Sequence, residues 1–187
     1  MPHSTGSVLA ALARIRRARA DSVWIGAGAG PGVVAMLRAV MLPRVHSTSE
    51  RPPLAVLGSD TLYRDGLLRA AGGAASGIHL TSGFVPPDAL SGDGEHFVDT
   101  FAHEFGQAGL YTAYAADAAR LVLAALRRSD ASRAGVLHAL FQTRSYQGLI
   151  GKVAVTPAGA STLARIAIFQ VRNGSFRLER TLDLAAS

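Results

Sequence analysis

Cysteine is absent from the 187 residues, which excludes a disulfide framework, a thiolate zinc site and a cysteine nucleophile. It leaves the redox compartment open, because a cysteine-free chain can live on either side of a membrane. Charged residues are scarce at 17%, while hydrophobic residues reach 49%, a balance that excludes disorder of the whole chain. A chain of this length buries roughly 70% of its unfolded surface in a globular fold. Lysine is nearly missing too, since Lys152 is the single lysine among 19 basic residues. The net charge of +6 therefore rests on arginine, and the excess of Arg, Ala and Gly is the usage of a GC-rich genome. No nucleic-acid partner is expected, and the cluster Arg14, Arg16, Arg17 and Arg19 reads as the solvated side of a helix.

Long apolar runs are also absent. After Met1 the apolar residues are broken by Arg14 before a secretory core forms, so no export signal is visible and the chain as given reads as soluble and cytoplasmic. The run GVVAMLRAVML is interrupted by Arg38 and falls short of the roughly 20 residues that span a bilayer.

What is present is an alternation of elements. Val8, Leu12 and Ile15 recur at helical spacing over 7–19, with Ser7 able to cap the start. DSVWIGAG supplies a short strand and a glycine loop, VVAMLRAVM a helix, HSTSERPP a loop, and PLAVLG a second buried strand. A helix is expected over 61–75, ended by Gly72-Gly73, before the strand GIHLTSGF. VPPDALSGDGE reads as a connection. Phe97, Phe101 and Phe105 form an aromatic stripe expected to be core, followed by the helices YTAYAADAARLVLAALRR and RAGVLHALFQTR. The end changes to strands: LIGKVAVT, RIAIFQV and SFRLERTL, the last two joined by Asn173-Gly174, a strong hairpin signal. Helices alternating with short, continuously apolar strands argue for an α/β layered fold with a mostly parallel sheet and a C-terminal antiparallel hairpin.

Catalytic patterns fail on spacing. GAGAGPG sits where backbone amides could bind an anion, but a G-x-G-x-x-G begun at Gly26 meets Pro31, and one begun at Gly28 meets Val33. A tight turn near a binding cleft is the better reading, and a nucleotide-binding α/β enzyme stays a rival. His96, Asp99 and His103 could share a helix face, yet HEF lacks the second histidine of H-E-x-x-H, so no metal site and no cofactor are expected. No G-x-S-x-G elbow occurs. Gly58-Ser59-Asp60 follows a buried strand, which puts a carboxylate at the sheet edge where open α/β folds bind ligands. Asp60 could there hold an ammonium group, or it could cap a helix beginning near Thr61.

In order, the strings DSVWIGAG with MLRA behind it, PLAVLGSD, LYTAYAADAAR, GLIGKV and FQVRNGSF resemble the leucine/isoleucine/valine-binding protein family, over about Ser7 to Leu182. That resemblance is to the C-terminal half of a type I periplasmic-binding-protein-like receptor, which serves an ABC transporter. It implies two lobes joined by three hinge crossings that close on a ligand. Residues 7–82 would then be second-lobe α/β structure, 83–93 a hinge crossing, and 94–182 a return to the first lobe with the final crossing strands. The resemblance further implies an amino-acid-type ligand whose ammonium meets Asp60, with Ser59 and Gly28 beside it, Tyr111 as an aromatic contact and Trp24 as a weaker one. For Tyr111 and Trp24, core packing is the competing reading. The implied partners are a small-molecule ligand, the missing N-terminal lobe or a parent protein, and an ABC permease. The family's aromatic positions on the glycine loop are here Gly28 and Ala29, implying a more open cleft. The function expected is solute binding without catalysis; a ligand-sensing domain of a cytoplasmic regulator is the alternative.

Overall fold

A computed structural model describes residues 5–41 and 54–184, so the expected loop 46–53 lies outside the described residues. The chain divides into two compact units, one of residues 1–82 and 167–181, the other of residues 83–166 and 182–187. The backbone therefore passes from one unit to the other three times.

In the first unit, helix α1 (Thr5–Arg17) leads into strand β1 (Ser22–Ile25), and α2 (Pro31–Met41) into β2 (Ala55–Ser59). A 3-10 turn over Asp60–Leu62, α3 (Asp65–Ala71) and a second 3-10 turn over Gly72–Ala75 lead to β3 (His79–Ser82). The unit is completed by β6 (Arg165–Arg172) and β7 (Ser175–Asp183), whose first and last residues run into the other unit. The five strands form one sheet in the order β1-β2-β3-β6-β7, with β1 to β3 parallel and β6 antiparallel to β3. Val56, Leu80, Phe169 and Val171 of the sheet are buried with Leu37 of α2, Leu62 and Ile78. Burying each such side chain stabilises the unit by about 1.5–3 kcal/mol. This is the expected α/β fold, parallel in its first part and antiparallel at its end.

The expected helix over 61–75 is broken instead. Arg64 takes an extended conformation at the N-cap of α3, and Gly72 ends that helix with φ 57°, so a short α-helix is held between two 3-10 turns. Ser7, expected as a cap, lies inside the first turn of α1.

The second unit holds a 3-10 turn over Pro87–Ala89, helices α4 (Asp93–Phe105), α5 (Thr112–Arg127) and α6 (Arg133–Phe141), and the hairpin β4 (Tyr146–Gly148) with β5 (Gly151–Val153). LIGKVAVT is thus not one strand. Its first residues make the turn of a separate two-stranded hairpin, with φ 120° at Gly151, a value that favours glycine. The arginine of α5 at position 120 lies over the Phe97 ring of α4 at 5.6 Å. Phe97, Phe101 and Phe105 are neighbours along α4, with centroids 5.9 and 5.2 Å apart. The stripe is not core throughout: Phe97 and Phe101 are half-buried, and Phe105, at the end of the helix before Gly106, is 76% exposed. Among the described residues no helix is long and apolar enough to cross a membrane.

Candidate functional site

Parallel strands end their hydrogen-bonding at a common edge, and the loops leaving β1 and β2 meet there. Thr61 Oγ1 donates to the carbonyl oxygen of Ala27 at 3.1 Å, and Ser59 Oγ lies 2.7 Å from the same hydroxyl. This relay ties the glycine loop after β1 to the turn after β2, bringing Gly28, Ser59 and Asp60 to one sheet edge. Nothing lies within 4 Å of where a Cβ on Gly28 would stand, so the loop leaves open space at that position.

The cap position of the 60–62 turn belongs to Ser59, in extended conformation, and the Ser59 side chain makes no capping bond. Asp60 is the turn's first residue, half-buried, one place beyond the position from which a short acceptor caps a helix. Thr61 is the residue that sequence reasoning missed. Its signal was present: a hydroxyl two residues after Ser59, inside a run of short polar side chains at a strand's end.

Tyr111 occupies the N-cap position of α5 in the second unit. Its ring meets Phe84 edge-on at 4.6 Å, and Phe84 meets Tyr114 edge-on at 4.7 Å. Tyr114 Oη accepts a hydrogen bond from the Val85 amide at 2.9 Å. Burial pushes the Tyr114 hydroxyl above the usual tyrosine range, against the Val85 hydrogen bond and the Arg165 charge, which pull it down. Tyr111 itself is 40% exposed, so plain core packing does not describe it. Phe84 and Tyr114 were not singled out from the sequence, although Tyr111 and Tyr114 stand three apart, the spacing that puts two side chains on one helix face.

Trp24 stands on β1, three residues before Ala27. It is 54% exposed, also not core, and it lines an apolar cavity with residues of α1 and α2. Pro31 starts α2 directly after the glycine loop, and the Val33 and Val34 amides donate to the Gly30 carbonyl, the closure of a tight turn. His96, Asp99 and His103 lie on α4, and among the described residues no group of three His, Cys, Asp or Glu side chains could hold a metal ion.

Residues 1–175 match the family described as periplasmic binding protein. No curated protein matches the chain. Among solved structures it is similar to a leucine-binding protein of Thermotoga maritima, with 21% identity and a TM-score of 0.77 over 94% of this chain and 48% of that one. A branched-chain amino acid transporter substrate-binding protein of Streptococcus pneumoniae, in complex with isoleucine, gives 17% identity and a TM-score of 0.69 over 94% of this chain and 47% of that one. An ABC-transporter solute-binding protein of Rhodopseudomonas palustris, in complex with p-hydroxybenzoic acid, gives 17% and 0.73 over 100% of this chain and 51% of that one. The fold shared with them is the type I periplasmic-binding-protein-like fold, and the chain spans about half the length of these structures.

Proposed function

Because the chain belongs to the periplasmic binding protein family, we propose that it supplies one half of a solute-binding receptor of an ABC transport system, with an amino acid or similar small molecule as ligand. The observation that carries the reading is the hydroxyl relay from Ala27 through Thr61 to Ser59, which holds a carboxylate, a hydroxyl and an open glycine loop at one edge of a parallel sheet. Asp60 takes the ligand's ammonium group through a charge-assisted hydrogen bond, the strong kind in a partly desolvated place. Ser59 and the Gly28 backbone offer neutral polar contacts beside it. In the second unit Tyr111, steadied by its edge contact with Phe84, offers an aromatic face for a ligand contact. The role is recognition and not catalysis. The complete receptor would work in the periplasm with a permease, and its other half would supply the contacts to the ligand's carboxylate.

Amide spectra of the isotope-labelled chain titrated with L-leucine test this reading. Leucine is expected to move the signals of 27–28 and 59–61, and Asp60→Asn is expected to remove that response. p-Hydroxybenzoate, which brings a carboxylate and no ammonium, is expected to move them less. Equal responses to both compounds, or a leucine response that survives Asp60→Asn, would overturn the role given to Asp60. A shift in melting temperature with NAD or ATP would favour the nucleotide-binding rival instead.

A further inference from the structure

The 3-10 turn over Asp60–Leu62 is a single turn, and the Ser59 side chain does not cap it. Its closing hydrogen bond runs from the Tyr63 amide to the Asp60 carbonyl oxygen at 2.8 Å. A 3-10 turn of this length has poor hydrogen-bond geometry and little stability of its own, so side chains have to decide where it stands. Thr61, Leu62 and Tyr63 supply those anchors. Thr61 ties the turn to the Ala27 carbonyl on the side of the glycine loop. Leu62 is buried in the gap that Gly58 leaves, where a Cβ on Gly58 would stand 2.5 Å from Leu62 Cδ1. Tyr63 holds the other end of the turn, through rings carried by the last two strands.

The Tyr63 ring is stacked on Phe176 of β7, with centroids 4.3 Å and planes 22° apart, and it meets Phe169 of β6 edge-on at 4.9 Å. Aromatic pairs favour these two arrangements, so the rings fix orientation as well as distance. The two phenylalanines differ in what else they do. Phe169 is buried opposite Leu80 in the sheet and fills the core of the first unit. Phe176 is half-buried on the outermost strand, just past the Asn173-Gly174 turn, so it contributes less to that core while its ring lies against Tyr63. Tyr63 is in turn hydrogen-bonded to Asp60 three residues before it. A displacement of the Tyr63 ring therefore passes into the turn that carries the carboxylate.

We propose that Phe176 is a positioning residue of the candidate site: by stacking on Tyr63 it fixes the 60–62 turn, and with it the place of the Asp60 carboxylate. This rests on the ligand role given to Asp60. Phe176 acts through the Tyr63 ring and amide and not by touching the ligand.

Amide exchange and L-leucine titration of the isotope-labelled chain, at a temperature where circular dichroism shows it folded, test the proposal on three variants. Phe176→Ala removes the ring, Phe176→Leu keeps apolar bulk without a flat face, and Phe176→Tyr keeps the ring. Phe176→Ala is expected to speed exchange of the Tyr63 amide at least tenfold more than that of the β1–β3 ladder amides. It is also expected to shift the 59–61 amide signals and to weaken L-leucine binding at least tenfold. A loss of stability alone would speed the ladder amides equally and leave the affinity of the folded chain unchanged. Phe176→Leu is expected to act in the same direction, which keeps the test decisive if Phe176→Ala does not fold, and Phe176→Tyr to keep the values of the unaltered chain. The proposal falls if Tyr63 exchange rises no more than ladder exchange, if Phe176→Tyr behaves like Phe176→Ala, or if the ring-free variants bind L-leucine as tightly as the unaltered chain. An unaltered chain that ignores L-leucine, with its Tyr63 amide still opened by Phe176→Ala, would remove the ligand reading and keep the link from Phe176 to the Asp60 turn.

Discussion

Asp117 is a carboxylate on the buried face of α5, with 5% of its surface exposed. Its two oxygens accept hydrogen bonds from the amides of Leu149 and Ile150, at 2.9 and 3.0 Å, and so hold the turn between β4 and β5. Gly148 must be glycine here, because a Cβ would run into the Asp117 carboxylate. Removing the acceptor in Asp117→Ala leaves two amides without a partner, each at about 1–3 kcal/mol when buried. A loss of about 2–4 kcal/mol is therefore expected, read as a lower urea midpoint for the second unit. The sequence carried a faint sign of this, an acid in register with the buried Ala113 and Ala125, but a sequence does not say which backbone a buried acid will serve. Asp130 acts at the surface. Its carboxylate accepts from the hydroxyl and amide of Ser132, the N-cap of α6, and these bonds lower its pKa below the ordinary 3.8. A lowered folded-state pKa means stability that is present above the unfolded value and lost as pH falls through the folded one. Melting curves are thus expected to separate the unaltered chain from Asp130→Asn at about pH 5 and to bring them together as pH falls toward about 2.

Elements were legible where periodicity and turn chemistry agreed. The hairpin of β6 and β7 was foreseeable because Asn173 and Gly174 both adopt positive φ, 52° and 70°, the signs that a two-residue type I′ connection requires. Gly174→Ala places a Cβ in that left-handed region and is expected to cost about 1–2 kcal/mol, measured by chemical denaturation with the m-value unchanged. Elements were less legible where packing decided. Residues 61–75 have helical composition, but Leu62 and Leu67 are both pulled into the core, and the chain between them has to extend at Arg64 to place them. LIGKVAVT has the apolar content of a strand, yet Asp117 on a distant helix fixes its first residues as a turn. At the candidate site the position of Asp60 after a strand was readable, whereas the hydroxyl relay was not. Thr61 and Ala27 are 34 positions apart, and only the parallel pairing of β1 with β2 brings them together.

Over the whole molecule the two units differ in how well each is furnished with a core. The largest fully buried side chains, Phe169, Leu37, Leu62, Ile78, Leu80, Val56 and Val171, all belong to the first unit. The second unit keeps Val122, Leu123, Leu126 and Leu137 exposed on α5 and α6, and among the described residues its separate sheet is the two-stranded β4-β5. Stability follows buried apolar area at about 25 cal/mol per Å², so the second unit is expected to unfold first, and denaturation of the chain to show two transitions. Two substitutions assign them. Gly58→Ala puts a Cβ 2.5 Å from Leu62 Cδ1 and 3.2 Å from Leu80 Cδ2 inside the first core. Overpacking of that kind costs about 1–3 kcal/mol and is expected to lower the later transition alone. Asp117→Ala is expected to lower the earlier transition alone. A single transition moved by both substitutions would show one cooperative fold in place of two.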